Sequence, residues 1–306
     1  MYDLIIIGSG PAGLSAAVYA KRAMLKAVVI EQLPLSGGQI INTNDVDNYL
    51  GLPGIGGFEL AQKFRSHADE LGVEFINASV LSVQDKGVDK EVCLDSREVL
   101  EANALIIATG AKNRLLGVPG EQELAGKGVS YCATCDGAFY KGKTVAVVGG
   151  GDVALEDAIY LSRICKKVYV IHRRDNFRGA KYLGDKLTKL ENVEILWDTV
   201  VDRIKGDDRV SSAAIRNLKT AVSSELEIDG IFIAVGITPN SKLVSNIVYC
   251  DDNGYIKADE SCKTSLPGVF AAGDVRTKPL RQVVTAVSDG AVSIMSAERY
   301  LEGLKL

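Results

Sequence analysis

Tyr131-Cys132-Ala133-Thr134-Cys135-Asp136-Gly137 is the stretch of this chain whose residue types and spacing bring bond chemistry together. Two thiols separated by two residues come within bridging distance when the first turn of a helix presents them, so the pair can close a small disulfide and open it again. Asp136, next to the second thiol, supplies a carboxyl group to take or give the proton that moves with a thiol. A C-x-x-C can also be half of a zinc site. Zinc needs a second ligand pair, however, and Cys93, Cys165, Cys250 and Cys262 stand singly. The pair therefore points to redox chemistry with no metal, and the rest of the chain has to supply the electrons.

Two glycine turns are the candidates for that supply. Leu4-Ile5-Ile6-Ile7 is a continuous apolar run, as in a strand of a parallel sheet buried on both faces. It runs into Gly8-Ser9-Gly10-Pro11-Ala12-Gly13, which fits G-x-G-x-x-G, and a helix follows over 14–24. The glycines allow a tight turn, let backbone N–H groups approach a pyrophosphate, and let helix and strand lie close. A second strand, Val28-Val29-Ile30-Glu31, ends in a carboxylate 23 residues after Gly8. An acid there accepts hydrogen bonds from ribose hydroxyls and repels a 2'-phosphate, so the first ligand is an adenine dinucleotide without that phosphate.

The pattern returns downstream. The run 143–148 leads into Gly149-Gly150-Gly151-Asp152-Val153-Ala154, a G-x-G-x-x-A turn in which Ala154 is the small residue that lets helix 153–164 pack on the strand. After the next strand, 168–171, the place of Glu31 is taken by His172, followed by Arg173, Arg174 and, four residues on, Arg178. The carboxylate that would repel a 2'-phosphate is absent and guanidinium groups that bind one are present, which selects NADPH over NADH. Segment 230–236 repeats 104–110, where Thr109-Gly110 forms the closing turn, and 268–274 is a further strand ending in Gly273-Asp274. A helix begins near Gln282. Small antiparallel strands are expected at 80–84, 90–94 and 97–101.

These elements predict an α/β fold of two Rossmann-like dinucleotide-binding domains, the second inserted in the first. The first domain comprises 1–113 and 243–306, and the second, carrying the cysteine pair, 114–242. The chain has 306 residues, 47% of them hydrophobic and 24% charged, as in a soluble globular protein. A net charge of −4 gives no general attraction to nucleic acid or anionic lipid. There is no basic leader after Met1 and no apolar run of membrane-spanning length, so the expected location is cytoplasmic.

With Cys132-Ala133-Thr134-Cys135-Asp136-Gly137, His172-Arg173-Arg174 with Arg178, and Ala272-Gly273-Asp274 with Arg281-Gln282, the chain resembles the low-molecular-weight thioredoxin reductases over essentially its whole length. The resemblance implies FAD in the first domain, NADPH in the second, a homodimer, and a thioredoxin-like protein disulfide as substrate. It implies flavin contacts at Gln39, Asn48, Asp274, Arg281 and Gln282, and an acid–base role for Asp136. Where such proteins often carry two adjacent phenylalanines for docking the partner, this chain has Ala138-Phe139-Tyr140. Both the thiols and the NADPH turn lie in the insert, so a rotation of the insert about its two linkers is expected, bringing each to the flavin in turn. Two alternatives stand beside this reading: a related flavoprotein with another disulfide partner or electron donor, and a non-enzymatic NADPH-binding redox sensor.

Overall fold

The computed structural model describes residues 1–43 and 46–304. In chain order the elements begin with β1 (Tyr2–Ile7), α1 (Pro11–Arg22), β2 (Ala27–Glu31), α2 (Gly57–Glu70), β3 (Glu74–Asn77), β4 (Val80–Lys86), β5 (Asp89–Leu94) and β6 (Val99–Ile107). Next come β7 (Ala111–Asn113), β8 (Val129–Ser130), α3 (Ala133–Asp136), β9 (Thr144–Gly149), α4 (Asp152–Ser162), β10 (Lys167–Ile171), α5 (Lys181–Leu187) and β11 (Val193–Leu196). The remainder is β12 (Thr199–Gly206), β13 (Val210–Asn217), β14 (Ser223–Glu227), β15 (Gly230–Ala234), β16 (Ile237–Pro239), β17 (Val269–Ala271) and α6 (Val283–Gly303). The chain forms two compact units, residues 1–112 with 238–306 and residues 113–237.

In the first unit β3, β2, β1 and β6 form a parallel sheet. Leu4, Ile5 and Ile6 are wholly buried because both faces of β1 are covered; burying such a side chain is worth about 1.5–3 kcal/mol. One face packs on α1 and α6 through small residues, Ala16, Ala17, Ala20 and Ala297. The other carries Val83, Val92, Leu94 and Val244 from the antiparallel strands and the later chain. The sequence pattern predicted separate strands at 97–101 and 104–107. They are one strand, β6, whose first half pairs antiparallel with β5 and whose second half pairs parallel with β17. Along one edge of β6, β17 takes over where β5 leaves off.

The second unit is built on the same plan: a five-stranded sheet in the order β11-β10-β9-β15-β8, with α4 and α5 on one face. The three-stranded sheet β12-β13-β14 covers the other, through Val201, Ile204, Ala213 and Ile215. The two passages of chain between the units, β7 and β16, pair as a short ribbon. Among the described residues no helix is long and apolar enough to cross a membrane.

Candidate redox centre and nucleotide sites

Cys132 is the residue before α3 and Cys135 lies within it, so one turn brings their Cα atoms to 5.3 Å and the two sulfurs form a disulfide. Ser130, buried at the end of β8, organises this turn. Its hydroxyl donates to Asp136 Oδ2 at 2.5 Å, and its oxygen accepts the Cys132 N–H at 3.1 Å. Tyr131 donates to Glu121 at 3.0 Å, and Glu121 is held in turn by the N–H groups of Leu116 and Gly117. Burial, with the Glu121 hydrogen bond, pushes the Tyr131 phenol well above its ordinary range. Tyr140 packs edge-on against Phe232, and its phenol is also raised, by burial first and then by the nearby Asp136. Neither Ser130 nor Glu121 stood out in the sequence, because each acts through a partner that spacing alone does not reveal.

In the first unit the glycines divide into two kinds. A Cβ on Gly8, whose φ is +105°, would press on the Ala108 carbonyl, and one on Gly13 would collide with the Gly8 carbonyl; these two let strand and helix approach. Gly10, the residue before α1, would meet nothing, so its backbone faces open room where a ligand can approach. Pro11 starts α1, its fixed φ suiting the first helical position, and the small side chain of Ala12 lies against Gly273. Glu31 accepts the N–H and hydroxyl of Ser9 at 2.8 and 2.7 Å, which fixes the carboxylate beside the glycine turn.

Gln39 donates to the Ala111 carbonyl at 2.5 Å, and Thr109 Oγ1 donates to the Asn240 carbonyl next to Gly110. Asn48 reaches Gln282, which caps α6 together with Thr285. Asp274 sits in the turn after β17. Its Oδ1 is buried without a hydrogen-bond partner, as is Nε of Arg281, whose guanidinium lies over the Tyr255 ring at 4.0 Å. Burial raises the Asp274 carboxyl above the ordinary range, while Lys278 and Arg281 pull it back. Two buried polar atoms in need of partners, together with the open Gly10 backbone, fit a ligand that carries hydroxyls and a pyrophosphate.

The second turn has the same logic. Gly149 is pressed between Ala154 and the Ala234 carbonyl, whereas Gly151, before α4, has open space where a Cβ would go. Arg173, Arg174 and Arg178 are exposed, and Arg178 is tied back by its N–H to the Gly150 carbonyl at 2.8 Å. Asp152 accepts the Ala180 N–H at 2.7 Å and so fastens the arginine loop to the helix start; Val153 is exposed there. His172 is placed differently from the arginines beside it. Its buried ring supports Gly150 from below, contacts Phe177 and Trp197, and meets the Asn176 carbonyl at 2.9 Å. Burial, against the backbone hydrogen bonds at Asn176 and Gly149 and with a smaller push from Arg174 and Arg178, lowers its pKa, and the ring supports the turn. Three surface guanidiniums beside an open helix N-terminus suit a dinucleotide bearing an extra phosphate.

Residues 2–290 match the family model described as pyridine nucleotide-disulphide oxidoreductase. A protein of Listeria monocytogenes named thioredoxin reductase is 46% identical over 306 residues, covering 100% of this chain and 95% of that protein. One of Bacillus subtilis with the same name is 44% identical, covering 100% and 96%. The crystal structure of thioredoxin reductase from Streptococcus pyogenes is 46% identical, with a TM-score of 0.95 and coverage of 99% of both chains.

Proposed function

We propose how named side chains carry out a reaction that kinship sets, since this chain belongs to the pyridine nucleotide-disulphide oxidoreductases, in the branch of the thioredoxin reductases. The chain is an NADPH-dependent, FAD-containing enzyme that reduces the disulfide of thioredoxin. Bound FAD supplies the two-electron passage between nicotinamide and disulfide. FAD belongs to the first unit and NADPH to the second, whose ends lie at 113 and 237 where the sequence pattern places them at 114 and 242.

Toward the flavin, the Gly8 to Gly13 turn offers N–H groups to the pyrophosphate, Glu31 takes the ribose hydroxyls, and Asp274 Oδ1 and Arg281 take partners they otherwise lack. Thr109, Gly110, Gln39, Asn48 and Gln282 complete that wall. Toward NADPH, Gly149, Gly151 and Ala154 admit the pyrophosphate, and Arg173, Arg174 and Arg178 bind the 2'-phosphate. Asp152 and His172 hold the loop and the turn in place. The Cys132–Cys135 disulfide takes up two electrons and two protons to become a dithiol, which passes them on by exchange with the partner's disulfide, Asp136 moving the proton.

The observation that carries this reading is the Cys132–Cys135 disulfide, held by Ser130 beside Asp136, in the same unit as the glycine turn with the three arginines. Because both belong to that unit, rotation about the two connections serves thiols and nicotinamide in turn. A homodimer working in the cytoplasm is part of the proposal and rests on kinship. The test is an anaerobic titration of the holoenzyme with NADPH, following flavin absorbance and thiols together. Uptake of two electron pairs with two new thiols supports the path. Bleaching without new thiols would mean an idle pair, and no bleaching a different donor.

A further inference from the structure

We infer that Ser130 is a positioning residue for the proton step of disulfide exchange, acting through Asp136; the inference rests on the acid–base reading of Asp136 given above. The hydroxyl of Ser130 holds both ends of the four-residue turn that carries the thiols. It accepts the Cys132 N–H at 3.1 Å at the start of the turn and donates to Asp136 Oδ2 at 2.5 Å at its end. A serine has one O–H to give. The Cys132 carbonyl, at 3.3 Å, is the more distant acceptor, so the proton is committed to the carboxylate.

Ser130 cannot drift to a different partner. It is 4% exposed, and its backbone belongs to β8, the edge strand of the five-stranded sheet, which pairs parallel with β15 at Phe232. The sheet therefore sets the hydroxyl, and the hydroxyl sets the carboxylate relative to the two sulfurs. A side chain free to turn about its own bonds would sample several directions. A donor fixed by a sheet removes that freedom before the partner arrives.

The step served is balanced as follows. In the reduced enzyme Cys132 and Cys135 hold two protons and two electrons more than in the disulfide. One thiol loses its proton and its thiolate attacks a sulfur of the partner's disulfide, forming a mixed disulfide; the other partner sulfur leaves as a thiolate and takes up a proton. The remaining enzyme thiol then loses its proton and attacks its neighbour in the mixed disulfide. This restores Cys132–Cys135 and releases the second partner sulfur, which is protonated in turn. Two electrons and two protons pass to the partner, and the enzyme's electrons were supplied by NADPH. Each proton has to leave an enzyme thiol and be delivered to a departing sulfur, and the inference gives that relay to the Asp136 carboxyl, which follows Cys135 in the chain and is held by Ser130.

The experiment is a double-mutant cycle on the holoenzyme reduced with NADPH and mixed with oxidised thioredoxin. Ser130→Ala should lower kcat about tenfold, the effect of one charge-assisted hydrogen bond, with KM for thioredoxin unchanged. Flavin reduction by NADPH should run at the parental rate, which also reports that the variant is folded. Ser130→Thr, which keeps the hydroxyl, should recover most of the lost turnover. In an Asp136→Asn background, Ser130→Ala should cost nothing further. Equal losses in both backgrounds would mean that Ser130 only braces the Cys132 backbone, and would overturn the inference, as would full turnover of Ser130→Ala. Normal turnover of Asp136→Asn alone would remove the acid–base reading itself, and the inference with it, a result distinguishable from the failure of Ser130 alone.

Discussion

Asp289 of α6 accepts the backbone N–H of Gly273 at 2.9 Å, and so fixes the turn that presents Asp274. The same carboxylate takes Lys278 at 2.8 Å and Arg276 at 3.0 Å. All three side chains are largely withdrawn from water, and Asp289 is the carboxylate that both cations pair with, while Arg276 also donates to the Ala258 and Asp259 carbonyls. Asp289→Ala should destabilise the flavin-free protein by about 3–5 kcal/mol, the cost of leaving a buried charge unpaired, and should weaken flavin retention. Urea unfolding measures the first effect and flavin release on dilution the second. A loss below about 1 kcal/mol would show that the cations find water instead.

Asp274→Asn should act in opposite directions on stability and on binding. The wild-type carboxylate is buried, with one oxygen lacking a partner, and its pKa is raised by that burial. Neutralising it removes a desolvation cost, so the flavin-free variant should melt higher than the wild type. Its FAD affinity should fall by roughly tenfold or more, because a charged acceptor for a hydroxyl is lost. Thermal melts with and without FAD test both signs, and a drop in both would place Asp274 among residues that merely hold the fold.

Replacing Arg173, Arg174 or Arg178 with Ala should raise KM for NADPH about five- to tenfold each, while KM for NADH changes little. The comparison of the two coenzymes is the informative part. An equal rise for both would mean that the arginines shape the loop, whose backbone is already tied to Gly150 through Arg178, and do not read the phosphate.

Asp157 on α4 predicts a pH dependence of stability. Burial, and to a smaller degree the neighbouring Glu156, raises its pKa to about 7. The unfolded chain titrates it near ~3.9, so between these values the folded state holds the extra proton. Its contribution is fully present below about pH 4 and is lost as pH rises to about 7, a span of roughly 4 kcal/mol. Asp157→Asn should therefore match the wild type near pH 4.5 and exceed it above pH 7. Parallel curves for the two proteins across this range would show that Asp157 titrates as an ordinary carboxylate.

The sequence carried the fold wherever a local pattern had a steric cause. Gly8, Gly13, Gly149 and Ala154 are needed where backbone segments pass close together, and their spacing marks both glycine turns in the sequence. The disulfide and the surface arginines were legible for the same reason, since spacing alone places them. What was not legible depended on partners distant in the chain. The halves of β6 read as two strands because each serves a different neighbour, β5 or β17. His172 read as part of a phosphate site because it occupies the place of Glu31, whereas its ring fills the space beneath Gly150. Asp289 gave no signal, for nothing in Ser288-Asp289-Gly290 says that Arg276 and Lys278 will be buried around it.

β6 and β17 are neighbours in one sheet, yet the whole second unit lies between them in sequence. As the chain leaves the ribosome, the second unit is therefore complete while the first still lacks a strand, its Gly273-Asp274 turn and α6. A helix of 21 residues that supplies Asp289 and packs on one face of the sheet follows the second unit in the chain. The second unit can thus mature as a self-contained body, while the first waits open. A chain arrested before α6 would hold its thiols in a finished fold while one face of the first unit's sheet stayed uncovered.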